Sequence, residues 1–115
     1  MGMTVGDLIR ALPLTVVAAE GELSKTVDSG YVSDLVSNVM GFAKANSVWG
    51  TMQGHQNVVA VASLANLSAI IIAGGATPEA DTVKKAEAEG IVLLTTDMPA
   101  FEVVGQLHGL GVKGL

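Results

Sequence analysis

The stretch Ala69-Ile70-Ile71-Ile72-Ala73-Gly74-Gly75-Ala76-Thr77-Pro78-Glu79-Ala80-Asp81-Thr82-Val83-Lys84-Lys85-Ala86-Glu87-Ala88-Glu89-Gly90-Ile91-Val92-Leu93-Leu94-Thr95 decides how the rest of the chain is read. Its first five residues are apolar at every position, as in a strand covered on both faces. Gly74 to Pro78 is a turn into a helix, with Thr77 placed as N-cap and Pro78 at the first helical position. Pro78 to Glu89 is amphipathic with its charges outside, and Gly90 is its stop. Ile91 to Thr95 is a second buried strand. A strand–helix–strand unit of this length sets its two strands parallel.

Upstream, Thr4 caps a helix from Val5 to Leu12, with Val5, Leu8, Ile9 and Leu12 at helical spacing, and Pro13 ends it. Leu14 to Ala19 reads as a strand, and Gly21 begins a polar turn. Lys25 to Val32 is a further strand candidate, in which Gly30 requires a bend. Ser33 or Asp34 then caps a helix to about Phe42, with Leu35, Val36 and Val39 on one side and Gly41 as a candidate early stop. Ser47 to Thr51 reads as a short strand, Gly54 breaks the chain, and Asn57 to Leu67 is an apolar helix. Downstream, Asp97 or Pro99 opens a last helix through about His108. The expectation is an α/β fold, one domain over residues 1–115, with helices on both faces of a short, mainly parallel sheet.

Composition narrows the function classes. Half of the 115 residues are apolar, 14 are glycine, and the aromatics are Tyr31, Phe42, Trp49 and Phe101. The formal charge is −5, and the six basic residues are scattered. Binding to phosphate backbones needs a basic stripe, often with exposed aromatics, so nucleic acid and anionic membrane are excluded as expected partners. With no cysteine, thiol nucleophiles, disulfides and thiolate metal sites are ruled out. The N-terminus lacks a basic segment followed by an apolar run, and Ser63, Asn66 and Ser68 interrupt the longest apolar stretch. A cytoplasmic protein is expected, and the high apolar fraction suggests a buried subunit interface, hence a homodimer.

Two turns are candidate sites. Gly74-Gly75-Ala76-Thr77 follows a parallel strand and precedes a helix, the edge at which open α/β sheets bind ligands, although such turns also use glycine for geometry alone. Gly54-His55-Gln56-Asn57 likewise follows a strand. His55 there could accept a proton, bond a phosphate or bind a metal, and Asn57 could cap the helix. The alternative is an exposed histidine beside a capping asparagine. His55 and His108 are isolated in sequence, so no metal site is expected. Neither a serine elbow nor a phosphate loop ending Gly-Lys-Ser/Thr occurs, and no catalytic residue or cofactor is assigned. Glu79, Asp81, Glu87 and Glu89 read as a solvated helix face, while Tyr31 and Trp49 read as core anchors or pocket walls.

From about Gly30 onward the chain carries Gly30-Tyr31-Val32-Ser33-Asp34-Leu35, Val39-Met40-Gly41, and Thr51-Met52-Gln53-Gly54-His55-Gln56-Asn57-Val58-Val59-Ala60-Val61-Ala62. It continues with Ile70-Ile71-Ile72-Ala73-Gly74-Gly75-Ala76-Thr77-Pro78, Gly90-Ile91-Val92-Leu93-Leu94-Thr95-Thr96 and Phe101-Glu102. In these segments the chain resembles the DRTGG domain family, and more loosely the N-terminal domain of HPr kinase/phosphorylase. The family's split motif falls on His55-Gln56 and on Ala73-Gly74-Gly75, where this chain keeps the glycine pair but neither the charged pair nor the hydroxyl. The resemblance implies an α/β domain like that at the front of HPr kinase, regulatory and without catalysis. The expected function is a ligand-binding module that senses a nucleotide or other anionic small molecule. The ligand would lie on backbone N–H groups of Gly54, His55, Gln56, Asn57, Gly74, Gly75 and Thr77, in one recess shared by both turns. The alternative is a structural dimerisation or docking module for a metabolic or signalling enzyme.

Overall fold

The computed structural model describes residues 2–114. The chain begins with β1 (Met3–Thr4) and α1 (Val5–Ala11), followed by β2 (Thr15–Ala18) and a single 3₁₀ turn at Glu20–Glu22. Next come β3 (Thr26–Val27), β4 (Ser29–Val32), α2 (Val36–Phe42), β5 (Ser47–Thr51) and α3 (Asn57–Leu64). The βαβ unit is β6 (Ala69–Ile72), α4 (Ala80–Glu89) and β7 (Val92–Thr95), and α5 (Ala100–Gly109) closes the chain. Five strands form the main sheet in the order β2-β7-β6-β5-β4. β4, β5, β6 and β7 run parallel, and β2 is an antiparallel edge on β7.

Alternation along the strands divides the core in two. Val48, Ala69, Ile71, Val92 and Leu94 face α1 and α5, packing with Val5, Leu8, Val103 and Leu107. Trp49, Ile70, Ile72 and Leu93 face the opposite layer, packing with Val39, Val58, Val59, Ala62 and Ala86. Every residue of β6 is buried, as its unbroken apolar run requires. Helices therefore cover both faces of a mainly parallel sheet, as the sequence indicates.

Two helix starts and one helix cap differ from the sequence reading, each for a local reason. α2 begins at Val36 because Leu35 stays extended and no side chain caps the helix. Asp34 is engaged elsewhere, and Leu35, expected on the core side, is 64% exposed. Gly41 lies inside this helix and does not stop it. α3 starts at Asn57, as expected, but Asn57 does not cap it: Gln56 is the N-cap residue with no side-chain cap bond, and the N–H of Asn57 donates to Nδ1 of His55 at 3.1 Å. This helix ends at Leu64, ahead of the expected Leu67, and Asn66 just beyond takes the left-handed conformation. α4 starts at Ala80 with Glu79 as cap, not Thr77, because the N–H of Glu79 donates to the carbonyl of Gly54 and holds the chain extended. Gly90, at φ +68, terminates α4 as expected.

Lys25 to Val32 is two strands. β3 pairs with β1 in a separate small sheet, the N–H of Asp28 bonds the carbonyl of Asn46, and β4 then joins β5. Thr4 serves as both strand residue and N-cap. Its Oγ1 accepts from the N–H of Asp7, and its own N–H donates to Oδ2 of Asp7 at 2.9 Å, a reciprocal capping box. That bond, followed by the ion pair to Arg10, holds the Asp7 carboxyl below its ordinary value of 3.8. A carboxyl depressed in the folded state adds stability above its unfolded value and loses it as pH falls through the folded one. Asp7→Asn should therefore flatten the decline of the unfolding midpoint below about pH 4, and an unchanged acid limb would contradict this account.

Candidate functional site

The carboxyl ends of β5, β6 and β7 lie on one edge of the sheet, in the register Thr51↔Ile72 and Ile72↔Thr95. The N–H of Ala73 donates to the carbonyl of Thr51 at 2.8 Å, so the two strand ends lie side by side as the sequence reading required. The shared recess between the two glycine turns does not follow, because the turns are in direct contact. A Cβ on Gly54 would lie 3.0 Å from the carbonyl oxygen of Thr77 and 3.1 Å from Cα of Pro78. The carbonyl of Gly54 accepts from Glu79 N–H at 3.0 Å and from Oγ1 of the buried Thr82 at 2.7 Å. Gly54 thus pins the start of α4, and a side chain there has no room.

The glycine pair has a structural task as well. Gly74 and Gly75 have φ near +75°, and their N–H groups donate to the carbonyls of Met98 (2.7 Å) and Thr96 (3.0 Å). The loop after β6 is thereby tied to the loop after β7, and these two of the amides expected to cradle an anion are already engaged. His55, Gln56 and Asn57 are exposed, and Nδ1 of His55 accepts from the N–H of Asn57.

The recess lies on the other side of the 74–78 loop. A cleft of about 400 Å³ opens between that loop, the segment Thr95-Thr96-Asp97 and the edge strand β2. Gly75 and Thr77 line it, whereas Gly54, His55, Gln56, Asn57 and Gly74 do not. Its floor and sides are Thr15, Val17, Ala76, Pro78 and Val83, with Pro13 at the rim. Thr15 and Val17, two residues apart on β2, share the face that lines it, next to a bulge. Val16 packs on the α1/α5 side and Val17 toward α4 by ordinary alternation, and the register slip on β7 between Val16 and Ala18 leaves Val17 and Ala18 together in the α4 layer. Bulges at sheet edges commonly re-aim a side chain in this way. Thr15, Thr95, Thr96 and Asp97 are not among the site residues expected from sequence, yet Thr96-Asp97 follows the buried parallel strand β7 just as Gly74-Gly75 follows β6.

Asp34 organises the neighbouring loop. Its Oδ1 accepts from Oγ1 of Thr51 at 2.8 Å and from the N–H of Met52 at 2.7 Å. Trp49 is fully buried, with Nε1 donating to the carbonyl of Ser33 at 2.8 Å, and half-buried Tyr31 donates to Oδ1 of Asn38. Trp49 is a core anchor and lines no recess described here. Among the described residues no group of three or more His, Asp or Glu side chains is placed to hold a metal, and no helix is long and apolar enough to cross a membrane.

No protein-family model matches the sequence, and no curated protein matches it. Among solved structures, the chain is similar to the CBS and DRTGG domains of the regulatory region of Clostridium perfringens pyrophosphatase, complexed with the activator diadenosine tetraphosphate. The similarity covers 90% of this chain at a TM-score of 0.72 and 15% identity, and the chain spans 45% of the length of that one. The class is thereby defined as a DRTGG-like α/β fold.

Proposed function

We propose that the chain is one DRTGG-like regulatory module, without catalysis of its own, that binds a small molecule at the carboxyl edge of its sheet. The observation that carries this reading is the cleft beside Gly75 and Thr77, at the sheet edge where open α/β folds receive ligands and within the usual size of small-molecule sites. The likeness to a regulatory region bound to a dinucleotide activator supports a nucleotide as the ligand. The Gly54-His55-Gln56-Asn57 turn braces the 74–78 loop from behind.

Thermal unfolding against a panel of nucleotides, diadenosine tetraphosphate and sugar nucleotides tests this. A ligand at about a hundred times its dissociation constant adds roughly 2.7 kcal/mol, which raises the midpoint by several degrees. A flat response to the whole panel would overturn the reading.

A second reading, a homodimer or a docking module for a partner enzyme, is favoured by exposed apolar side chains. Phe101 is 85% exposed, Leu64 75% and Phe42 64%. Phe42 and Leu64 lie on the adjoining helices α2 and α3, the side of the sheet where a covered surface would fall. Light scattering that returned a monomer at micromolar concentration would count against it.

A further inference from the structure

We infer that the cleft between β2 and the loops after β6 and β7 recognises an uncharged, hydroxyl-rich group, the sugar of a nucleoside or a free sugar, and leaves any phosphate outside. This deepens the ligand-binding reading above and rests on it. Among the described residues lining the cleft, Asp97 is the one acidic side chain, and there is no lysine, arginine or histidine. A phosphate placed there would meet a carboxylate in a protein of net charge −5, with no cation to offset it.

The remaining polar groups are threonine hydroxyls, from Thr15, Thr77, Thr95 and Thr96. A hydroxyl donates and accepts, and a carboxylate accepts twice, which matches the vicinal diol of a sugar. Oγ1 of Thr96 already accepts from the N–H of Met98 at 3.2 Å, which leaves its proton to donate. Val17 and Val83 supply an apolar wall for the C–H face of a ring. Of the backbone donors expected to hold a phosphate, the amides of Gly74 and Gly75 are spent on Met98 and Thr96.

Amide-shift titrations of the full chain with paired probes test the inference: adenosine against AMP, uridine against UMP, ribose and glucose alone, and 2′,3′-dideoxyadenosine as the diol-free control. Shifts should centre on Gly75, Thr77 and Asp97, with each nucleoside binding at least as tightly as its monophosphate. Removing the diol should weaken adenosine about tenfold, and so should Asp97→Asn, which breaks no hydrogen bond of the fold and should leave the unfolding midpoint in place. Response to free sugars as well would assign the cleft to sugars in general, and response to nucleosides alone would assign it to the nucleoside sugar.

Tighter binding of the monophosphates, or stronger binding by the Asp97→Asn variant, would overturn the inference. If the nucleotide panel raises the midpoint while shifts fall on His55 to Asn57, or no probe gives shifts, the sugar inference fails and the ligand-binding reading stands. If neither midpoint nor shifts respond, both fail.

Discussion

Replacing Trp49 by alanine should remove about 3–5 kcal/mol of stability, the largest loss expected from any single truncation in this chain. The indole is fully buried in the α2/α3 layer, beside Val39, Val58 and Ile70. Its removal leaves a cavity that close-packed neighbours cannot fill. The carbonyl of Ser33 also loses its donor. For a domain of about this size each kcal/mol moves the midpoint by roughly 4 °C, so a fall of about 12–20 °C is expected. If the alanine variant does not fold, Trp49→Phe separates the two effects, because the ring volume is largely kept and the hydrogen bond lost. That variant should lose about 1–2 kcal/mol in urea unfolding. A loss below about 1 kcal/mol for Trp49→Ala would mean the indole is not enclosed in this layer.

The second large effect is expected at Gly54. Gly54→Val places two methyl groups where a Cβ alone already meets the backbone of Thr77 and Pro78 at 3.0 and 3.1 Å. Neither neighbour is a flexible side-chain tip, so the loops must separate. Overpacking of this kind costs about 1–3 kcal/mol. It also pulls Glu79 N–H and the Thr82 hydroxyl from the carbonyl they share. Because Thr77 and Pro78 form one wall of the cleft, ligand response should fall together with stability. Gly105→Ala is the control, since a Cβ at this position in α5 meets nothing within 4 Å. There the lower entropy of the unfolded chain should raise stability by about 0.5–1 kcal/mol. Equal effects at the two positions would contradict the contact between the turns.

The parts of the fold most legible in the sequence are those buried on both faces. β6 and the run Ile91 to Leu94 that leads into β7 are unbroken apolar stretches, with Gly90 between helix and strand, and each demand leaves a mark on composition. β1 and β3, of two residues each, are too short to show any period, and their pairing is visible only in three dimensions. Helix starts were misplaced where tertiary contacts outbid local caps: Asp34 turns to Thr51 and Met52, and Glu79 to Gly54. The site was half legible. The rule that ligands meet the carboxyl ends of parallel strands reaches Gly75 and Thr77. It does not reveal that Gly74 and Gly75 spend their amides on the next loop, or that the opening faces β2 and Asp97. Both depend on which neighbouring strand the loop turns toward, and no local pattern encodes that.

The central claim is that the ligand sits between the 74–78 loop and Thr95-Thr96-Asp97, not between the two glycine turns. A crystal structure with the compound that raises the unfolding midpoint most tests it directly. The account predicts that compound within hydrogen-bond reach of Thr77, Thr96 or Asp97, against Val17 and Val83. A compound bound instead against His55, Gln56 and Asn57, with the cleft beside Asp97 holding only water, would contradict it.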